Sequence, residues 1–212
     1  MGGLRPRARF GLAIRPDRLT TNGDITLILS DHDIRAALQS GRITVEPLFP
    51  NAVKPPSVDL HLGKVFLVFD TQRFTEIDVK KPVASLMRRV EIAEDEPFIL
   101  HPNEFALGVT VEKTGFSDDI VGRLEGKSSL GRIGIIIHAT AGYIDPGNNL
   151  NPTLELSNIS PLPIKLYYKM PIAQMSYHTL SSKAEVPYGK ARHNKYFGDT
   201  EPQASKIDKN FT

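Results

Sequence analysis

The chain has 212 residues, 40% of them hydrophobic, and its 26 Lys plus Arg against 24 Asp plus Glu leave a net charge of +2. That is enough sequence for one substantial core, and a charge so small argues against wholesale nucleic-acid binding, which needs a concentrated basic face. Cysteine is absent, which excludes disulfides, thiol nucleophiles and Cys-ligated zinc, and no apolar run approaches the roughly 20 residues of a membrane span or the core of a secretory signal, so the expected location is cytoplasmic.

In chain order, residues 1–26 hold five arginines against two aspartates, with scattered Gly and Pro. They read as a flexible N-terminal extension before a single domain over 27–212. In SDHDIRAALQSG, Ser30 can cap a helix, Asp33 stands at the capping-box spacing, Ile34, Ala37 and Leu38 form a stripe, and Gly41 stops it. From Ile43 onward short runs alternate with Pro, Gly and Asn: VDLHLG, KVFLVFD, EPFILHP, FALGVTVEK, IGIIIHATA, PTLELSN, PIKLYYK and IAQMSYH. Several repeat apolar residues at period two, as in Phe105, Leu107, Val109 and Val111, so the expected class is mainly β, an antiparallel sandwich or barrel. A second helix is expected over Val83–Arg89, and the charged stretch from about Lys190 to Thr212 is expected to be mobile.

The stretch EGKSSLGR invites comparison with a P-loop, but Val121 stands where the first Gly belongs. Lys127, Ser128, Ser129 and Arg132 still put two cations and two hydroxyls within six residues, a set able to hold a polyphosphate, although a polar turn is the simpler reading. Downstream, Asp145 precedes Pro146 and Gly147 as at a tight hairpin. In TLEL, Leu154 and Leu156 share one face while Thr153, Glu155 and Ser157 share the other. Glu155 is then a solvent-facing strand residue or a pocket carboxylate able to shuttle protons. The histidines, His138 among them, show no ligand spacing, so no protein metal site is expected. Tyr188, Lys195 and Tyr196 offer rings and a cation near the C-terminus.

Taken in order, GKSSLGR, HATAGYIDPG, TLELSN, the IAQMS run with Gln174, PYG…KY and ASKID, together with LSDHDIRAAL and PPSVDLHLG upstream, the chain resembles the dCTP deaminase family of the trimeric dUTPase-like superfamily from about Leu27 to Asp208. The resemblance implies homotrimers of distorted β-barrel, jelly-roll-like subunits with a short N-terminal helix and active sites at subunit interfaces. It implies that Lys127, Ser128, Ser129, Leu130, Gly131 and Arg132 hold the triphosphate of dCTP, with Mg²⁺ bound mainly through phosphates and water and no zinc. Asp145, Thr153 and Leu154 fall at nucleoside-binding positions, and Gln174, Tyr188 and Lys195 at further nucleotide contacts. Glu155 falls on the catalytic glutamate, and Ser128, with backbone near Ala141, would orient the attacking water.

Gly142-Tyr143 matches the members that continue from dUTP to dUMP and diphosphate, with Asp145 as the carboxylate activating a second water. Feedback inhibition by dTTP through the HATAG segment is implied as well. Against the family pattern, Asn148, Leu150 and Pro152 alter the hairpin, and Asp199 stands where a Gln is usual. Pro152 requires its strand to begin there or to lie at an edge, and Asp199 needs Mg²⁺ or Lys206 to offset its charge near phosphates. The alternatives are a monofunctional deaminase giving dUTP, a plain dUTPase, and a non-catalytic nucleotide-binding trimer.

Overall fold

Residues 27–189 and 194–211 are described by a computed structural model; the expected extension over 1–26 lies outside the described residues. The helix forms as its caps dictate. Ser30 Oγ accepts from Asp33 N–H, the helix runs Asp31–Gln39, and Gly41 turns the chain out at φ 74°. Ile34 and Ala37 are buried, and Leu38 packs against the core at its edge. A helix this short is held by that packing rather than by its own hydrogen bonds.

Alternation becomes strand wherever one face meets the core. In Thr153–Asn158 the leucines are fully buried and the intervening residues through Ser157 are half-buried, as the TLEL pattern requires. Two five-stranded antiparallel sheets result. The first runs Ile135–Ile136, Thr153–Asn158, Phe105–Val109, Val65–Phe69, Met87–Glu91; the second runs Tyr143–Ile144, Ile120–Gly126, Pro171–Thr179, Ser57–His61, Val53–Lys54. A three-stranded sheet (Ile43–Glu46, Lys113–Phe116, Asn149–Leu150) and a two-stranded one (Ile164–Leu166, Phe98–Leu100) complete it. Both large sheets feed one apolar core, Leu154, Leu156 and Phe66 from the first meeting Leu60, Leu124 and Met175 from the second, with Phe66 stacked on Phe98 at 4.0 Å. Each such buried side chain contributes about 2 kcal/mol relative to exposure. The strands form a distorted jelly-roll-like sandwich, and among the described residues they do not close into a ring. No helix among these residues is long and apolar enough to cross a membrane.

Three segments depart from expectation. Val83–Arg89 is not one helix: a single 3₁₀ turn, Val83–Leu86, gives way to the strand Met87–Glu91, because pairing with Val65–Phe69 captures the backbone from Met87 onward. The apolar run IGIIIHATA contributes only Ile135–Ile136 to a sheet. Beyond it, Glu155 N–H donates to Ile137 O and Ala139 N–H donates to the Glu155 carboxylate, which draws the chain off the ladder. The strand Ile120–Gly126 was not among the expected runs. Its inward position 122 is a glycine, and a Cβ there would lie 2.8 Å from Phe116 Cζ and 2.9 Å from Met175 Sδ, so close packing hides the alternation.

A buried carboxylate gives the fold a pH dependence. Glu112 is 1% exposed and accepts from His61 N–H at 2.8 Å, and its second oxygen meets His61 Nδ1. Loss of hydration on burial raises the Glu112 pKa above the usual carboxylate value, against the lowering effect of those His61 contacts. The folded state therefore holds this proton more tightly than the unfolded one. The resulting stabilisation is complete below the unfolded pKa and is lost as pH rises through the folded value. In urea titrations between pH 4 and pH 7, wild type minus Glu112→Gln is expected to show stability declining with pH; a flat difference removes Glu112 as the source.

Candidate active site

The GKSS stretch is a helical turn hung from the end of a strand. Ile120–Gly126 ends at Gly126, Lys127 caps the four-residue helix Ser128–Gly131, and Leu130 N–H and Gly131 N–H both return to Lys127 O, at 2.9 and 3.1 Å. Leu130 is buried and anchors the turn, which leaves Ser128, Ser129, Gly131 and Arg132 exposed. A first cavity, about 500 Å³, is lined by Lys127, Ser128, Ser129 and Gly131, with His138 and Gln174. Gln174 is held in place there: its Nε2 donates to Gly126 O and its Oε1 accepts from Ser57 Oγ, both at 3.2 Å. Arg132 is not part of that lining.

A second cavity, about 620 Å³, takes in Thr153 and Glu155 from one strand and Asp145 from the turn before it. The Glu155 carboxylate is half-buried and accepts from Ala139 N–H at 2.8 Å. Leu154 points the other way, fully buried, so only its backbone can reach a ligand. Phe69, Val83, Met87, Phe105 and Leu107 form an apolar wall, which no motif in the sequence marked. None of the described lining residues is Lys or Arg. Ser128 and Glu155 thus line different cavities of one chain, and His138, whose spacing fits no metal site, lines both.

The turn at Asp145 forms, with Asn148 N–H donating to Asp145 O at 3.2 Å and Gly147 at φ 81°. Its arms do not make a hairpin: Tyr143–Ile144 pairs with Gly122 and Arg123, whereas Asn149–Leu150 pairs with Thr114 and Gly115 in another sheet. Asn148 is buried within this crossover, its C=O accepting from Phe116 N–H and its side chain from Asn149 N–H. Pro152 sits immediately before Thr153–Asn158, an interior strand, and its C=O accepts from Thr110 N–H. Gly142 packs closely under the His138 ring, where a Cβ would lie 2.9 Å from His138 Nε2 and 3.2 Å from Leu124 O. Tyr143 is exposed beneath the Arg123 guanidinium, 5.5 Å from its ring centre.

The C-terminal residues cover the second cavity. Tyr188 N–H donates to Pro146 O, Tyr188 Oη accepts from Tyr196 N–H, and Tyr196 Oη accepts from Lys206 N–H. Asp199 and Gln203 join Tyr188 and Tyr196 in the lining. Asp199 is offset by Lys206, whose Nζ lies 3.4 Å away, so its charge is not left alone in the cavity. Lys195 lies outside the lining and bonds the side chain of Asn210.

With this geometry in place, the model of the dCTP deaminase-like family matches residues 28–180. The chain belongs to that family. A relative from Pseudarthrobacter chlorophenolicus, named dCTP deaminase, dUMP-forming, is 50% identical over 186 residues, covering 87% of this chain and 97% of the relative. One from Kocuria rhizophila with the same name is 49% identical, with the same coverage. Among solved structures, the 2′-deoxycytidine 5′-triphosphate deaminase of Agrobacterium tumefaciens shares the fold, with a TM-score of 0.58 at 22% identity over 73% of this chain and 48% of that one. The family match contains the GKSS turn, the Asp145 turn and the Glu155 strand, and ends at residue 180, before Tyr188 and the C-terminal cover.

Proposed function

We propose that this chain is a cytoplasmic hydrolase that deaminates dCTP at cytosine C4, releases ammonia, and then releases diphosphate to leave dUMP. The observation that carries the reading is the division of chemistry between the cavities: Glu155 in a pocket with an apolar wall and no Lys or Arg among its described lining residues, suited to a base and sugar, and hydroxyls with Lys127 in another, suited to phosphates. The names of relatives near 50% identity supply the substrate and product.

In this reading Glu155 takes a proton from the attacking water as its oxygen bonds to C4, and returns that proton to N3. The hydroxyl proton of the adduct then passes through Glu155 to the exocyclic nitrogen. The C–N bond breaks, ammonia departs and the C4 carbonyl of uracil forms. The Ala139 N–H bond fixes the orientation of the Glu155 carboxylate. Ser128 orients the water, and since Ser128 and Glu155 occupy separate cavities in one chain, the site is completed between copies of a homotrimer. Asp145 activates a second water that attacks the α-phosphorus, and the bond to the bridging oxygen breaks to free diphosphate. Among the described residues no three His, Asp or Glu side chains converge to hold a metal. Mg²⁺ would be held mainly by the triphosphate oxygens and water, where it would neutralise phosphate charge.

The test is to incubate the protein with dCTP and Mg²⁺ and quantify ammonia, dUTP, dUMP and diphosphate. Equal ammonia, dUMP and diphosphate is the expected result. Accumulated dUTP identifies a monofunctional deaminase, turnover of dUTP alone a dUTPase, and binding without turnover a non-catalytic trimer.

A further inference from the structure

Beneath the GKSS turn lies a carboxylate, Asp59 of the PPSVDLHLG segment, to which neither the sequence nor the reaction above gives a role. Asp59 sits on Ser57–His61, the strand next to Pro171–Thr179, which in turn pairs with the strand that ends in Gly126. In register Asp59 faces Gln174, and Gln174 faces Glu125. Asp59 is 8% exposed, a position a carboxylate rarely occupies without partners. Its Oδ1 accepts from Lys127 Nζ at 2.7 Å, and its Oδ2 lies 3.7 Å from Lys54 Nζ. Ser57, two residues earlier and so on the same strand face, donates to Gln174, whose amide donates to Gly126 O. One strand face thus braces, through Gln174 of the strand between them, the last residue of Ile120–Gly126, and directly the first side chain of the turn.

We propose that Asp59 is a positioning residue that presents the Lys127 ammonium to the phosphates of the nucleotide. This rests on the reading of the turn as a triphosphate site. A lysine head is a mobile point charge on a four-carbon stem, and a charge-assisted bond of 2.7 Å from a carboxylate buried in a sheet holds it before ligand arrives. Two ammonium groups around one carboxylate leave the cluster with a net positive charge, so the brace orients Lys127 without cancelling the attraction for an anion. Asp59 makes no contact with substrate in this arrangement and acts through Lys127 alone.

Asp59→Asn is expected to raise KM for dCTP about ten-fold with kcat within about two-fold, and to leave the Kd for dCMP unchanged. In a Lys127→Gln background the same substitution should add little, because the group it serves has gone. Equal losses for dCTP and dCMP, or full additivity with Lys127→Gln, overturn the proposal and leave Asp59 as a structural residue. Should Asp59→Asn fail to fold, Asp59→Glu keeps the charge but displaces it, and a smaller loss selective for the triphosphate is expected; no selective loss overturns the proposal. Inorganic tripolyphosphate separates the two readings. If the wild type does not turn over dCTP yet binds tripolyphosphate more tightly than Asp59→Asn does, the functional reading falls and the positioning role stands.

Discussion

Glu155→Gln is expected to cut ammonia release from dCTP by about 10³-fold while dCTP binding stays within a few-fold of wild type. The substitution is close to isosteric, and a Gln oxygen can still accept the Ala139 N–H bond that ties 137–139 to the strand. The neighbouring leucines, fully buried on the opposite face, are untouched. What disappears is the proton carrier, because an amide does not cycle between protonated and ionised forms at neutral pH. Ammonia release measured beside calorimetric binding of dCTP separates the two effects. Deamination retained in the variant would remove Glu155 from its proposed role, and lost binding would make it a structural residue.

Subunit complementation tests the second large effect. Ser128→Ala and Glu155→Gln trimers are each expected to be nearly inactive, since each lacks one half of every site. If the halves come from different copies, unfolding the two variants together and refolding them as a 1:1 mixture restores sites in which both donors are intact. With random assembly, each donor is intact half the time, so activity should recover to about a quarter of wild type. No recovery in mixed trimers, with wild type refolding normally alongside, would place Ser128 and Glu155 in the same site of one chain. The separation of the two residues into different cavities is the structural ground for expecting recovery.

Much of the framework was legible from local chemistry. Ser30, Asp33 and Gly41 mark the ends of the helix because capping satisfies backbone groups within four residues. The burial of Leu154 and Leu156, with Glu155 on the other face, follows from the two-residue repeat of a strand. The order of the motifs, from the GKSS turn to TLEL, was enough to point to the dCTP deaminase-like family, which the matched model over 28–180 bears out.

Other features required the folded chain, because strand partners are chosen by contacts far apart in sequence. Local pattern favoured a helix over Val83–Arg89, and the edge of the Val65–Phe69 strand took its second half. Asp145 and Gly147 announced a turn, but only the competing ladders at Ile120–Gly126 and Lys113–Phe116 decided that its arms enter different sheets. The same topology put Lys127 over Asp59, 68 residues away, with no spacing to signal it. By itself the sequence determined which side chains stand at the GKSS turn, at the Asp145 turn and on the two faces of TLEL, since side-chain type and local periodicity are encoded position by position. The tertiary structure alone decided how those residues are shared between two cavities, since that depends on which strands pair and where each sheet ends.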